Sequence, residues 1–291
     1  MPIKVSPVHA SLGARITGVD LSAPLSGADL QDIHQAWLEY IVLIFADQNL
    51  SDEAQLNFSL NFGSPPNRPI HSKGTQSDDQ IHKSVMLVSN IRDDGKTIGS
   101  LPDGEMHFHT DGAYERDPYR YTMLHALEVP KRGGNTLFAN MYKAYEMLPK
   151  FLKSKLADVD AKHGFYTGVD VSKQMRANLG ISKYNGTAEH PVFICHEETG
   201  RTALYVNRLL TEALVGFTQS ESTKVLSELF SYAERPEIIY EHVWSPGDFV
   251  IWDNRCANHA RTDFGAGERR LLRRTTVQGT KPERATINHA D

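Results

Sequence analysis

Residues 246–277 read PGDFVIWDNRCANHARTDFGAGERRLLRRTTV. The apolar run 249–252 and the alternating run 271–277 are both short, and a polar, glycine-containing stretch separates them. Short runs rich in β-branched and aromatic residues, bounded by Gly, Pro, Asn and Asp, are strands joined by turns. The same rhythm extends upstream through 122–129, 136–139, 191–195, 203–206 and 238–243. Closely spaced short strands of this kind predict an antiparallel sandwich or jelly roll.

Helices interrupt the strands twice. Residues 142–156 are helical with Pro149 as a break in the middle, and 221–233 place Val225, Leu226, Leu229 and Phe230 on one stripe. In the first half of the chain Ser26 caps a helix carrying Leu30, Ile33, Trp37 and Tyr40 on one face. That helix runs into YIVLIFA at 40–46, which reads as a buried strand. Ser51 starts a second helix, with Leu56 and Leu60 as its packing face and Gly63 as its stop. Residues 64–104 are polar and turn-rich around one strand at 85–88, and 168–189 lack periodicity; loops of that length border functional sites.

The chain has 291 residues, 40% of them hydrophobic, and a formal net charge of −5. That composition belongs to an ordinary globular protein and excludes wholesale disorder. Its mild acidity argues against nucleic acid as a partner, because phosphate binding needs a basic face. The longest apolar run, 40–46, is far short of the ~20 residues that cross a bilayer, so no membrane partner is expected. With no internal repeat, low-complexity tract or linker, residues 1–291 read as one domain. Cys195 and Cys256 are too few for a disulfide scaffold, and nothing near Met1 reads as a secretory signal, so the expected location is the cytoplasm.

Thirteen histidines invite a search for metal ligands. Three His-x-Asp/Glu triplets occur, beginning at His109, His196 and His289, and composition alone supplies such triplets by chance. Context separates them. His289 lies in the last three residues, where chains fray. His196 sits in CHEETGR, a hairpin turn between two strands, whereas His109 lies in MHFHTDGAY among aromatic residues and a glycine. Residues i and i+2 of an extended chain share a side, so His109 and Asp111 can present nitrogen and oxygen to one ion. His259 is the strongest third donor. Two histidines and one carboxylate on one face leave three positions open, the arrangement suited to non-haem Fe(II). Spacing alone leaves open the other reading, in which His109 and His259 are buried polar core residues.

Arg270 and Arg274 follow within ERRLLRRTTV, and alternation puts both on one strand face with Arg269 and Arg273 on the other. Guanidinium groups aimed into a barrel interior are costly unless they meet an anion, and arginine binds carboxylates bidentately. A dicarboxylate held between metal and arginine satisfies both requirements. A solvated edge strand remains the other reading.

Together these residues resemble the taurine dioxygenase and 2,4-dichlorophenoxyacetate dioxygenase (TauD/TfdA) family. The likeness runs from LGARITGVDLSAPL at 12–25 through FHTDGAY, ALEVPKRGGNTLFANMYKAYEMLP and the helix from Glu221 to WDNRCANH and ERRLLRRTTVQG. It implies an α+β fold with a double-stranded β-helix (jelly-roll) core of mainly antiparallel strands and flanking helices. It also implies Fe(II), with 2-oxoglutarate as co-substrate and O2, and a homo-oligomer. His109, Asp111 and His259 match the iron ligands. Thr136 and Arg270 match the positions that hold the distal carboxylate of 2-oxoglutarate, with Gly133 and Gly134 as turn residues that set Thr136. Arg274 matches a second arginine nearer the iron, able to contact the co-substrate or an anionic substrate. Trp252, Asp253, Asn254 and Arg255 are expected as hydrogen-bonding scaffold. The implied reaction couples decarboxylation of 2-oxoglutarate to succinate and CO2 with hydroxylation of a substrate, or with desaturation or cleavage beside a heteroatom.

The substrate is less defined. A small organic acid, aryloxy or amino-acid derived, is expected, with His71, Asn90, Glu105, His107, Tyr114, Arg208 and Arg274 as candidate wall residues. Each of them except Arg274 has a surface or supporting role as its other reading. Glu105 stands where taurine-oxidising members carry a polar amide, and a carboxylate there disfavours taurine. Two alternatives compete: a non-catalytic small-acid binder of the same fold, and a metal-dependent hydrolase. The run from His107 to Asp111 resembles a zinc-hydrolase motif, but Gly112 stands where that motif needs histidine.

Overall fold

The computed structural model describes residues 2–66, 84–94, 96–99, 105–168, 171, 186–265 and 267–287. His71 and His289 lie outside them. In chain order the strands are β1 (Lys4–Pro7), β2 (Ala14–Thr17), β3 (Val42–Phe45), β4 (Met86–Ser89), β5 (Arg92–Asp93), β6 (Lys96–Thr97), β7 (Met106–His109), β8 (Tyr119–Glu128), β9 (Thr136–Asn140), β10 (Asp160–Gly164), β11 (Thr187–Pro191), β12 (Phe193–Cys195), β13 (Thr202–Leu204), β14 (Thr211–Leu214), β15 (Ile239–His242), β16 (Phe249–Asp253), β17 (Ala257–Arg261), β18 (Leu271–Gln278) and β19 (Glu283–Arg284). The helices are α1 (Gly27–Tyr40), α2 (Asp52–Leu60), α3 (Met141–Glu146), α4 (Lys150–Leu156) and α5 (Gln219–Ala233).

The architecture mixes helices with mostly antiparallel sheets. A large sheet runs β1-β2-β3-β16-β8-β18-β4, and its one parallel pairing is β2 with β3. A smaller sheet runs β15-β9-β17-β7, antiparallel throughout. Residue alternation explains why YIVLIFA is apolar on both faces. Val42 and Ile44 join a core shared with Phe138 and Ala257 of the small sheet, whereas Leu43 and Phe45 face a second cluster with Ile33 and Trp37 of α1. Trp37 stacks on Tyr121 of β8 with ring centroids 4.0 Å apart, which fixes α1 on the outer face. Across the inner core, the Phe138 and Trp252 rings approach to 5.2 Å.

Local signals behave as chemistry dictates. The Ser26 hydroxyl accepts from the Asp29 amide at the start of α1, and Thr218 with Glu221 forms a reciprocal capping box on α5. Pro149 divides α3 from α4 as its missing N–H requires. Two readings change. Leu60 is 48% exposed, and the buried face of α2 consists of Gln55, Leu56, Phe58 and Ser59. The reason is polar docking: Gln55 Nε2 donates to Arg273 O at 3.0 Å, and the Ser59 and Thr275 hydroxyls lie 2.7 Å apart. Strands β10, β14 and β17 were not expected, because DAKHG, TEAL and ANHAR lack apolar alternation and are recruited by pairing with neighbours. Among the described residues no helix is long and apolar enough to cross a membrane.

Candidate active site

On the small sheet His259 of β17 stands directly opposite His109 of β7 on one side and Phe138 of β9 on the other. The register shifts between His259 and Arg261, so β7 carries an extra residue there, a bulge that re-aims its end. Beyond His109 the chain turns through Thr110, Asp111 and Gly112. Gly112 has φ +76°, and a Cβ on it would stand 3.0 Å from the Tyr119 amide nitrogen, so the turn needs glycine. The Thr110 hydroxyl donates to Asn258 Oδ1 at 2.7 Å and ties the turn to β17.

This turn brings the three predicted donors together. His109 Nε2 lies 3.9 Å from Asp111 Oδ1, and His259 Nε2 lies 3.9 Å from Asp111 Oδ2. All three side chains are buried. His109 Nδ1 is 3.0 Å from the His107 carbonyl, to which it donates, so the Nε2 lone pair faces Asp111. Burial pushes both imidazoles below their ordinary pKa; the Asp111 charge opposes this at His109, and at His259 the neighbouring His109 adds to it. Burial would raise the Asp111 carboxyl, but Arg274, the two imidazoles and the Thr122 hydroxyl outweigh it and hold the group ionised well below the usual carboxylate range. Arg274 Nη1 is 3.3 Å from Oδ1, and Thr122 Oγ1 donates to Oδ2 at 2.7 Å. Thr122 in turn accepts from Asn254 Nδ2 at 2.9 Å, and Asn254 Oδ1 accepts from Trp252 Nε1 at 3.0 Å. The WDNR run is therefore scaffold beneath the carboxylate.

A second group gathers beside this one. Gly133 and Gly134 take φ +73° and +66°, and a Cβ on Gly133 would lie 2.2 Å from Asp263 O. The turn they make places Thr136 at the start of β9, its hydroxyl accepting from Trp244 Nε1 at 3.0 Å. Arg270 packs against Gly134 and donates from Nε to its carbonyl at 3.2 Å. Burial, together with the like charge of Arg261, lowers the Arg270 pKa to about 9.

The candidate wall residues divide. Tyr114 is half-buried and packs edge-on against Phe165 at 4.9 Å, and His107 is half-buried on β7. Glu105 is exposed. Asn90 has its amide engaged with backbone: Oδ1 accepts from the Arg270 amide at 2.9 Å and Nδ2 donates to Glu268 O at 2.8 Å. It clamps the chain that carries Arg270. Arg208 is held by Glu234 at 2.8 Å and lies over the Phe230 ring, because α5 brings a carboxylate and an aromatic face to it. Sequence reasoning missed Thr122 and Tyr166. Tyr166 is buried and packs edge-on against Phe165 at 4.8 Å, and burial raises its pKa. Its φ of +53° is rare for a bulky residue, a strain that clusters at functional turns.

His196, Asp253 and Cys256 form another close buried group. Both ring nitrogens of His196 are used: Nε2 meets Asp253 Oδ2 at 2.9 Å, and Nδ1 accepts from the Glu198 and Thr199 amides at 3.2 Å. That group is a structural hub beneath the WDNR turn, and no nitrogen lone pair remains for an ion.

Residues 4–276 match the family described as "Taurine catabolism dioxygenase TauD, TfdA family". The chain belongs to the TauD/TfdA family. Relatives within it include an "(S)-phenoxypropionate/alpha-ketoglutarate-dioxygenase" of Sphingobium herbicidovorans, 31% identical over 98% of each chain. A "Pentalenolactone F synthase" of Streptomyces avermitilis is 33% identical over 92% of this chain and 91% of its own. Among solved structures, a taurine dioxygenase from Burkholderia xenovorans superposes with TM-score 0.79 at 30% identity, covering 96% of this chain and 90% of that one. AAD-2, solved with Mn(II) and N-oxalylglycine, superposes with TM-score 0.78 at 27% identity, covering 97% and 99%. As a TauD/TfdA member the chain has relatives named for phenoxypropionate and for the synthesis of pentalenolactone F alike, so family membership leaves the substrate open.

Proposed function

We propose that this Fe(II)- and 2-oxoglutarate-dependent dioxygenase acts on a small anionic organic substrate, with His109, Asp111 and His259 as its iron ligands. The donor set fits that ion. Two imidazole nitrogens held neutral and one ionised carboxylate, all within 4.8 Å of one another, match the two-histidine, one-carboxylate preference of non-haem Fe(II). When bound, iron with 2-oxoglutarate and O2 supplies the oxidant that removes hydrogen from an unactivated C–H bond, as 2-oxoglutarate goes to succinate and CO2.

The protein's part is to hold, orient and keep dry. His107 O fixes the His109 tautomer, and Thr122 and Arg274 keep Asp111 ionised and aimed. Arg270 and Thr136 receive the distal carboxylate of 2-oxoglutarate, and the Asn90 clamp sets the Arg270 backbone. Arg274, at the inner edge of β18 beside Asp111, faces the anionic end of the substrate or co-substrate. Tyr114, Phe165 and Tyr166 form an aromatic wall suited to an apolar substrate body. Relatives named for phenoxypropionate and for alkyl sulfates act on molecules of that general type, an anionic head on an apolar body. The two sheets enclosing this site are read as a double-stranded β-helix core, and residues 1–291 as one domain, a reading supported by the shared inner cluster.

The observation that carries the proposal is the placing of both imidazole Nε2 atoms 3.9 Å from opposite oxygens of one buried carboxylate. Anaerobic addition of Fe(II) and 2-oxoglutarate is expected to produce the weak visible charge-transfer band of a chelated 2-oxoacid, and Asp111→Ala is expected to abolish it. Absence of the band in wild-type protein that has bound iron overturns the assignment.

A further inference from the structure

Trp244 belongs to no strand. It stands two residues past β15, on the connection that carries the chain from the small sheet to β16 of the large one. Backbone bonds pin the far end of that connection: Gly247 N donates to Ala126 O, Ala126 N to Asp248 O and Gln48 N to Gly247 O, each at 2.8 Å. The Ser245 amide closes the turn by donating to Asp248 Oδ2 at 2.9 Å. The Trp244 indole is buried and meets the His242 ring edge-on, with centroids 4.6 Å apart. His242 pairs across the small sheet with Thr136, and the indole Nε1 reaches back to donate to Thr136 Oγ1 at 3.0 Å.

The direction of that bond is set by chemistry. An indole N–H can only donate, whereas a hydroxyl donates once and accepts up to twice. Thr136 Oγ1 is therefore the acceptor, and its own hydrogen is left for another group. Thr136 is buried, 3% exposed, and among the described residues nothing accepts that hydrogen. A buried donor with no acceptor is costly, so the hydroxyl calls for an acceptor supplied from outside the chain. Arg270 is held at the Gly134 carbonyl, two residues before Thr136, which sets a cation on the turn that carries this donor.

We propose that Trp244 is a positioning residue for the co-substrate: by occupying an acceptor site of Thr136 Oγ1, it leaves the hydroxyl to donate to the distal carboxylate of 2-oxoglutarate. This rests on the reading of Thr136 as a contact of that carboxylate. A hydroxyl free to rotate presents a lone pair to the carboxylate in part of its rotamers, and the two repel. The indole removes that state before the ligand arrives, and donation into Oγ1 makes the hydroxyl a stronger donor. Preference for a 2-oxoacid with a second carboxylate is thereby set in part by a side chain that does not touch the ligand.

The test is a binding measurement on Mn(II)-loaded protein without turnover. Calorimetric titration compares 2-oxoglutarate with 2-oxovalerate, which has the same carbon chain and a methyl group in place of the distal carboxylate. Wild type is run beside Trp244→Phe, which keeps an aromatic ring and loses the N–H, beside Thr136→Val, and beside the double variant. Trp244→Phe is expected to bind 2-oxoglutarate about 3–10-fold more weakly, the range of one neutral hydrogen bond, and 2-oxovalerate with wild-type affinity. In the Thr136→Val background the same change is expected to cost nothing further, because the hydroxyl through which it acts is gone. The proposal is overturned by a fall shared equally by both ligands, by a 2-oxoglutarate affinity within about twofold of wild type, or by a loss of equal size with and without the Thr136 hydroxyl. Wild-type protein supplies a second measurement in case Trp244→Phe does not fold. With Zn(II) bound and the indole nitrogens of its three tryptophans isotope-labelled, the Trp244 N–H resonance is expected to move differently with 2-oxoglutarate than with 2-oxovalerate; identical movement overturns the proposal. An unchanged preference between the two ligands in Thr136→Val overturns the reading of Thr136 and the proposal with it, a result separable from the failure of Trp244 alone.

Discussion

Thr122 carries no charge and shows no motif, yet its hydroxyl stands between Asp111 and Asn254 and decides how the carboxylate points. Outer contacts of this kind typically change metal affinity by about 10–100-fold when removed. Thr122→Val keeps the shape, removes one donor from Asp111 and strands the Asn254 amide. The Fe(II) concentration needed for half-maximal succinate formation is expected to rise by about that factor, with Thr122→Ser close to wild type; an unchanged requirement in Thr122→Val contradicts the role. Residues such as His109, Asp111, His259, Arg270 and Arg274 are legible in sequence because their side-chain chemistry is unusual in a core and their order forms a motif. Thr122 is not, since its importance comes from what the fold sets beside it.

At the scale of elements, legibility followed hydrophobic alternation. Strands β3, β8, β16 and β18 bury apolar side chains and announce themselves, whereas β10 and β17 carry histidines inward and do not. The sheet of β11, β10 and β14 buries His163 and His190 with ring centroids 5.6 Å apart. His190 Nε2 donates to Glu115 O at 2.9 Å and so supports the loop that follows Asp111. Burial lowers the His190 pKa to about 4 and pushes His163 well below its ordinary value, with the two rings acting on one another at His163. The folded protein thus binds fewer protons than the unfolded chain between those values and the ordinary histidine pKa near 6.5. Their stabilising effect is complete above about pH 6.5 and is lost as pH falls toward 4, on the order of 3 kcal/mol for His190 alone. Denaturant melts at pH 7.5, 6 and 5 should show wild type weakening more steeply than His190→Gln, whose amide can still donate to Glu115 but does not titrate. Parallel pH profiles for the two proteins contradict this account.

Across the whole molecule, the proposed ligands His109 and His259 lie 150 residues apart in the chain on two paired strands of the small sheet, with Asp111 in the turn after the first, while Arg274 comes from β18 of the large sheet and Arg270 from the residue just before it. The large sheet is buried on both faces, by α1 and α2 outside and by the small sheet inside, so neither sheet keeps its core without the other. Binding at the site must then be felt by the entire fold. A ligand that binds only the native state adds about 2.7 kcal/mol at one hundred times its Kd, worth roughly 2–4 °C per kcal/mol in a protein of this size. Mn(II) with 2-oxoglutarate is expected to shift one thermal transition upward as a unit, by about 5–10 °C, and Asp111→Ala should abolish most of the shift. Two transitions, of which only one moves, would mean that the sheets fold as separate units and that the shared core does not bind them. A single transition that the ligands leave in place would mean that His109, Asp111 and His259 are buried polar residues of the core, the reading that spacing alone left open.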